Sequence, residues 1–127
     1  MNEKLVRILV IEDDPDIQKI AKMSLESIGG FSVKVCGESQ SAVGEAVSFK
    51  PQLILLDAMM PGMDGTAVLK ALRRDKACAG IAVVFLTAKV QSSEVENFRA
   101  LGAADVIGKP FNPMTLPDKV KDIWKKI

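Results

Sequence analysis

Residues 53–65 read LILLDAMMPGMDG, and this segment decides the fold of the chain. Its first four residues form a short apolar run, which is typical of a buried strand. Asp57 comes directly after the run. Pro61 and Gly62 predict a turn, and Asp64 can cap the helix that comes next. The segment therefore predicts a buried strand, a tight loop and a helix in direct succession.

The same succession of strand and helix recurs along the whole chain. Short runs rich in Val, Ile and Leu predict strands at residues 5–11, 32–36, 53–56, 81–86 and 105–107. Between and after them, apolar residues recur with helical spacing. The pairs Asp14-Pro15 and Asn112-Pro113 predict the starts of the first and last helices. This alternation predicts one doubly wound α/β domain over residues 1–127, with helices on both faces of a parallel sheet.

Composition and charge exclude several other classes of protein. Of the 127 residues 48% are hydrophobic and 26% are charged, as in ordinary globular domains. Seventeen basic against 16 acidic residues give a net charge of +1, and no basic run predicts direct contact with nucleic acid. No apolar stretch reaches the length of a membrane span and no signal peptide is visible, so we expect no membrane contact and a cytoplasmic location.

The sequence also limits which side chains can do chemistry. It contains no histidine, so any histidine in the mechanism must come from a partner. Cys36 and Cys78 lack the paired spacing of a zinc site or a redox motif, and we interpret both as structural.

Charged residues and one threonine come at the ends of four of the predicted strands. They are Glu12 and Asp13 after the first, Asp57 after the third, Thr87 after the fourth and Lys109 after the fifth. Ligands of doubly wound sheets bind at that edge. Carboxylates placed close together repel unless a cation or proton intervenes, and oxygen ligands suit Mg²⁺. We therefore predict Mg²⁺ held by Asp13 and Asp57, with Glu12 in support.

Each of these residues fits a role in phosphoryl transfer. A carboxylate such as Asp57 can attack a phosphoryl group and form an acyl phosphate. Lys109 and the metal would neutralise charge on the transferring group, and Thr87 would donate a hydrogen bond to one of its oxygens. Taken singly, an acidic corner, a threonine or a lysine is commonly a solvated or capping residue. Their joint occurrence at the ends of the right strands makes the pattern specific.

Four segments resemble the signature segments of response-regulator receiver domains: ILVIEDDPD (8–16), LILLDAMMPGMDG (53–65), VVFLTAK (83–89) and ADVIGKPF (104–111). The resemblance covers essentially the entire chain and implies a flavodoxin-like (βα)5 fold with strand order 2-1-3-4-5. It implies that Glu12 and Asp13 are the acidic pair and Asp57 the phosphorylation site. It assigns Thr87 as the switch hydroxyl and Lys109 as the basic residue.

The resemblance carries further expectations about the site and its partners. The backbone carbonyl of Met59 would complete the Mg²⁺ shell, and the Lys109-Pro110 peptide would be cis. The phosphoryl donor would be a sensor histidine kinase or a histidine phosphotransfer protein, and the domain would catalyse only its own phosphorylation and dephosphorylation. Output would reach a downstream protein target or a linked effector through the helix around residues 95–101 and the last strand and helix, from a monomer or a phosphorylation-dependent dimer.

Alternative functions remain to be weighed against this one. Dehalogenase-like phosphatases also use an aspartyl phosphate, but they require a second aspartate where this chain has Met59. A flavodoxin-like cofactor binder needs a Ser/Thr/Gly-rich phosphate loop, whereas the loop after the first strand is acidic. A degenerate receiver that docks without phosphorylation stays open, although all five active positions are filled.

Two features concern the response to phosphorylation and its duration. Receiver domains often carry an aromatic residue three positions before the lysine, and here that position is Val106. We therefore expect the signal to pass through the loop after Thr87 and the helix that contains Val95 and Phe98. Met59 and Lys89 should flank the phosphoryl group and obstruct water, which predicts slow self-dephosphorylation.

Overall fold

The computed structural model describes residues 3–88 and 91–127 and has the predicted alternation of strands and helices. The strands are β1 (Arg7–Ile11), β2 (Ser32–Cys36), β3 (Leu53–Asp57), β4 (Ala82–Thr87) and β5 (Asp105–Gly108). The helices are α1 (Pro15–Met23), α2 (Ala42–Phe49), α3 (Gly65–Arg74), α4 (Ser92–Ala100) and α5 (Leu116–Lys125). A π-helical turn, Ser24–Ile28, continues α1, and a 3-10 turn, Ser39–Ser41, precedes α2.

The five strands form one parallel sheet in the order β2-β1-β3-β4-β5, which confirms the expected topology. The chain moves outward from β1 to β2 and then returns to the other side of β1 for β3. The strand order therefore reverses between β1 and β3, where doubly wound sheets place their ligands. Ile11 pairs with Leu56, so Glu12 and Asp57 come next to each other at the carboxyl edge.

Two apolar layers enclose the sheet. On one face, α2 and α3 pack against alternate strand residues such as Leu56 and Phe85, and the half-buried Phe98 of α4 joins them. On the other face, Leu25 and helix α5 cover the remaining strand residues. β3 is buried along its whole length because both of its faces are covered. No helix within residues 3–88 and 91–127 is both long and apolar enough to cross a membrane.

The turn chemistry explains most of the boundaries. Asp14 caps α1 by accepting the backbone N–H groups of Asp16 and Ile17, as predicted from Asp14-Pro15. Asp64 caps α3 in the same way through the N–H of Ala67. Gly62 has φ +84°, a conformation that glycine adopts at little cost.

The prediction for the start of the last helix is wrong. Helix α5 begins at Leu116, after Thr115, and does not begin at Pro113. Asn112 accepts the N–H of Met114 with its side chain and the N–H of Thr115 with its carbonyl, so it forms a turn of its own. Two smaller differences concern the strands, because Asp57 and Thr87 are the last residues of β3 and β4 instead of following them.

Candidate functional site

The carboxyl edge of the sheet brings together charged side chains from three strands. The Lys109 ammonium nitrogen lies 2.8 Å from Glu12 Oε1 and 3.0 Å from Asp57 Oδ1. Lys109 comes after β5, which is separated from β3 by β4, so its side chain extends across the end of β4 to reach Asp57. Both carboxylates are buried, with Glu12 1% and Asp57 4% exposed. A lysine that joins two buried carboxylates from distant segments ties β1, β3 and β5 together at this edge.

The two carboxylates that contact Lys109 also belong to an acidic cluster that fits a divalent cation. One carboxylate oxygen from each of Glu12, Asp13 and Asp57 lies within 4.8 Å of the others. Asp13 is exposed, so the cluster is open on one side. Oxygen donors with an open side match Mg²⁺, which retains several water ligands. The described residues therefore include a donor set that can hold Mg²⁺.

Burial changes the acidity of two of these groups. Burial and the neighbouring Asp57 carboxyl raise the pKa of Glu12 to about 7, although the Lys109 ammonium and the N–H of Asp14 lower it. For Lys109, burial lowers the pKa, but hydrogen bonds to Glu12 and Asp57 more than offset that effect and leave the pKa above its ordinary value. Lys109 therefore stays charged, whereas Glu12 exchanges a proton near neutral pH.

The loop after β3 fixes the position of the Asp57 side chain. Asp57 Oδ1 accepts a hydrogen bond from the N–H of Met59 at 3.1 Å. The N–H of Ala58 donates to the carbonyl of Leu86 in β4, which anchors the start of the loop. The side chain of Met59 is 71% exposed and stands at the surface beside the site. Lys89, its predicted counterpart, lies outside the described residues.

Thr87 ends β4 and is 5% exposed. Its carbonyl accepts the N–H of Lys109 at 2.8 Å, so the backbone of the threonine supports the base of the lysine. Its side chain borders a cavity of about 490 Å³ that lies between the loop after β3 and α4. Thr87 is thus one strand away from Asp57 and next to an open space.

The structure brings Glu12, Asp13, Asp57 and Lys109 into one cluster and places Thr87 on the adjacent strand. The Lys109-Pro110 peptide is cis, as the resemblance implied. Two residues that touch this region were missed from the sequence. The side-chain amide of Gln18 donates to the carbonyl of Glu12, and no sequence pattern indicates that contact. Gly65 packs on the Asp57 carbonyl, and its position directly after the capping Asp64 was the available signal.

Residues 8–121 match the family model of the response regulator receiver domain. The chain belongs to this family. This chain is 37% identical to the DNA-binding response regulator MtrA of Mycolicibacterium smegmatis over 115 residues. The matched region covers 91% of this chain and 49% of that protein. The signal receiver domain of a DNA-binding response regulator from Colwellia psychrerythraea 34H has a TM-score of 0.82 at 30% identity, over 94% of this chain and 98% of that chain. Chemotaxis protein CheY4 of Vibrio cholerae shares the fold, with a TM-score of 0.86 at 24% identity over 94% of this chain and 99% of that chain.

Membership of the family defines the signalling system in which this receiver domain works. It is a receiver domain of the kind found in two-component response regulators. The chain spans about half the length of the curated relatives that it matches. MtrA is a DNA-binding regulator, so the prediction that this chain does not contact nucleic acid directly stays a prediction.

Proposed function

We propose that Asp57 of this receiver domain accepts a phosphoryl group from a phosphohistidine on a sensor kinase or a histidine phosphotransfer protein. The observation that carries the proposal is the contact of Lys109 with Asp57 at 3.0 Å, beside an acidic cluster that can hold Mg²⁺. A half-buried lysine and a buried carboxylate that merely stabilised the fold would not require two further carboxylates at the same place. Carboxylates that lie this close together repel one another. Such an arrangement is typical of sites that bind a cation and an anionic group.

Asp57 has the geometry of a nucleophile that is held in place. Its Oδ1 is fixed by Lys109 and by the N–H of Met59, so little orientational freedom remains to be lost on reaction. A bond would form between an Asp57 carboxylate oxygen and phosphorus as the bond between phosphorus and the donor histidine nitrogen breaks. The product is an acyl phosphate on Asp57, and the released imidazole of the donor takes a proton from solvent.

Lys109 and Thr87 would act on the phosphoryl group itself. Lys109 keeps its charge at neutral pH because its pKa is raised, so it can neutralise one of the phosphoryl oxygens. Thr87, at the end of the neighbouring strand, would donate a hydrogen bond to another. This second contact requires the Thr87 side chain to turn toward Asp57.

Mg²⁺ would be held by Asp13 and Asp57, by the backbone carbonyl of Met59 and, through a supporting role, by Glu12. When bound, the metal neutralises charge on the transferring group. Glu12 then has to release its proton, since its pKa of about 7 allows it to carry one at neutral pH.

The experiment that tests the proposal is phosphorylation by a small donor. The native chain is incubated with Mg²⁺ and acetyl phosphate, and intact mass is measured before and after treatment with hydroxylamine, which cleaves acyl phosphates. We expect one phosphoryl group on the native chain and none on Asp57→Asn. Asp75→Asn is the matched control, because Asp75 lies at the far end of α3 and should leave the reaction unchanged.

The rival proposal is a receiver that docks to partners without being phosphorylated. It predicts no added mass on the native chain under any of these conditions. The same added mass on Asp57→Asn as on the native chain would place the phosphoryl group elsewhere and refute the assignment of Asp57.

A further inference from the structure

Phe98 of α4 lies on the side of the sheet to which Thr87 points. Its ring contacts the ring of Phe85 in β4, with 4.5 Å between centroids and an angle of 32° between the ring planes. Side chains alternate along a strand, so Phe85 and Thr87 project from the same face of the sheet. Phe98 is therefore held against the strand that ends in Thr87.

Phe98 and Thr87 also border the same open space. Both line the cavity of about 490 Å³ between α4 and the loop after β3. Among the described residues, Phe98 is the one aromatic side chain that lines this cavity. A change in the position of the threonine side chain alters the space that is available to the ring, since both face one volume.

Helix α4 is weakly held, so a small change at its inner face can move it. None of its side chains is fully buried, and its contact with the core rests on half-buried residues that include Phe98. Elements with few buried apolar contacts open at low free energy. The Arg99–Asp105 ion pair at 2.9 Å then links α4 to β5, so a shift of α4 reaches β5 as well.

Val106 cannot make the same connection. It pairs with Phe85 in the sheet and packs against the same apolar cluster, but it does not line the cavity. Its β-branched side chain is short and is restricted to few rotamers. Among the described residues, the aromatic side chain that shares a cavity with Thr87 therefore comes from α4 and not from β5.

We propose that Phe98 is the positioning residue that couples Thr87 to α4. When Thr87 turns toward a phosphoryl group on Asp57, the Phe98 ring moves into the space beside it, and α4 moves with the ring. The physical reason is packing, because space vacated by the threonine side chain is costly to leave unfilled. The coupling rests on the phosphorylation of Asp57 proposed above, so its test must separate the two.

The test uses amide NMR spectra of the full chain with and without Mg²⁺ and beryllium fluoride, a mimic of the phosphoryl group. In the native chain we expect the signals of Asp57 and Thr87 to shift, together with those of Ser92–Ala100. In Phe98→Ala the shifts of Asp57 and Thr87 should remain, while those of α4 should fall to less than about a third of the native size. Phe98→Tyr keeps the ring and should retain the native response.

Two further variants make the test decisive. Val95→Ala is the matched control on the same helix, because Val95 is half-buried but does not line the cavity, and it should keep the native response. Phe98→Leu keeps most of the apolar volume but removes the ring, so it replaces Phe98→Ala in the test if the alanine variant does not fold. It should also reduce the shifts of the α4 signals. Native-sized α4 shifts in either Phe98→Ala or Phe98→Leu would overturn the coupling, as would a native α4 that does not respond. If Asp57 and Thr87 do not shift in the native chain, the proposed function fails as well.

Discussion

Replacing Gly65 with alanine is the most direct test of how closely the loop after β3 packs around Asp57. Gly65 is the first residue of α3, and a Cβ atom added there would lie 2.5 Å from the Asp57 carbonyl oxygen. It would also lie 2.8 Å from Ala58 Cα and 2.9 Å from a ring carbon of Phe85. Two of these contacts are with backbone and the third is with a fully buried ring, so none of the neighbours can move freely.

Two opposing effects set the change in the free energy of unfolding that Gly65→Ala causes. Ordinary contact begins near 3.4 Å, so the Asp57 carbonyl would have to retreat by about 0.9 Å. Forcing an extra methyl group into a packed region costs about 1–3 kcal/mol. Alanine favours the helix over glycine by up to about 1 kcal/mol, and by less at a first helical position. We expect Gly65→Ala to lower the free energy of unfolding by about 1–2 kcal/mol, with the Asp57 backbone displaced.

Gly44→Ala is the matched control, because Gly44 lies inside α2 and a Cβ there would meet nothing within 4 Å. It should raise the free energy of unfolding by about 0.5–1 kcal/mol. Urea denaturation followed by circular dichroism measures both variants, and comparison of their m-values shows whether the transitions remain comparable. A Gly65→Ala variant as stable as the native chain, with an unchanged amide signal for Asp57, would refute the packing argument.

Three other predictions concern the site and its surroundings. Because burial raises the pKa of Glu12 to about 7 and Mg²⁺ displaces its proton, the Mg²⁺ affinity measured by calorimetry should rise between about pH 6 and about pH 8. Glu12→Gln should remove most of that slope, and a flat profile in the native chain would contradict the assignment. Asp64→Ala removes the cap that accepts the N–H of Ala67 and should cost about 1 kcal/mol in urea denaturation, whereas Asp64→Asn should cost far less. Met59→Ala opens the exposed side of the site and should shorten the lifetime of the phosphoryl group on Asp57, and an unchanged decay rate would count against shielding by this side chain.

The amino-acid sequence alone determined the order of strands and helices and most of their limits. These features depend on local chemistry and not on how distant parts of the chain pack. A run such as LILLD favours a buried strand, and Asp14 or Asp64 caps the helix that follows it. It also determined that the acidic residues and Lys109 leave the sheet at one edge, because all strands joined by helical crossovers point the same way. The start of α5 differs from the prediction, because the proline after Asn112 fits a turn as well as a helix.

Only the tertiary structure decided which of these residues touch. The strand order places β1 beside β3 and leaves β4 between β3 and β5, so the side chain of Lys109 has to extend across a strand to reach Asp57. The raised pKa of Glu12 likewise depends on the packed structure, which buries this side chain and brings the Asp57 carboxyl beside it. The contact of Phe98 with Phe85 and the close approach of Gly65 to Asp57 likewise join segments whose separation in sequence hides their proximity. Local pattern selects the elements, whereas distances between side chains are set by how those elements pack.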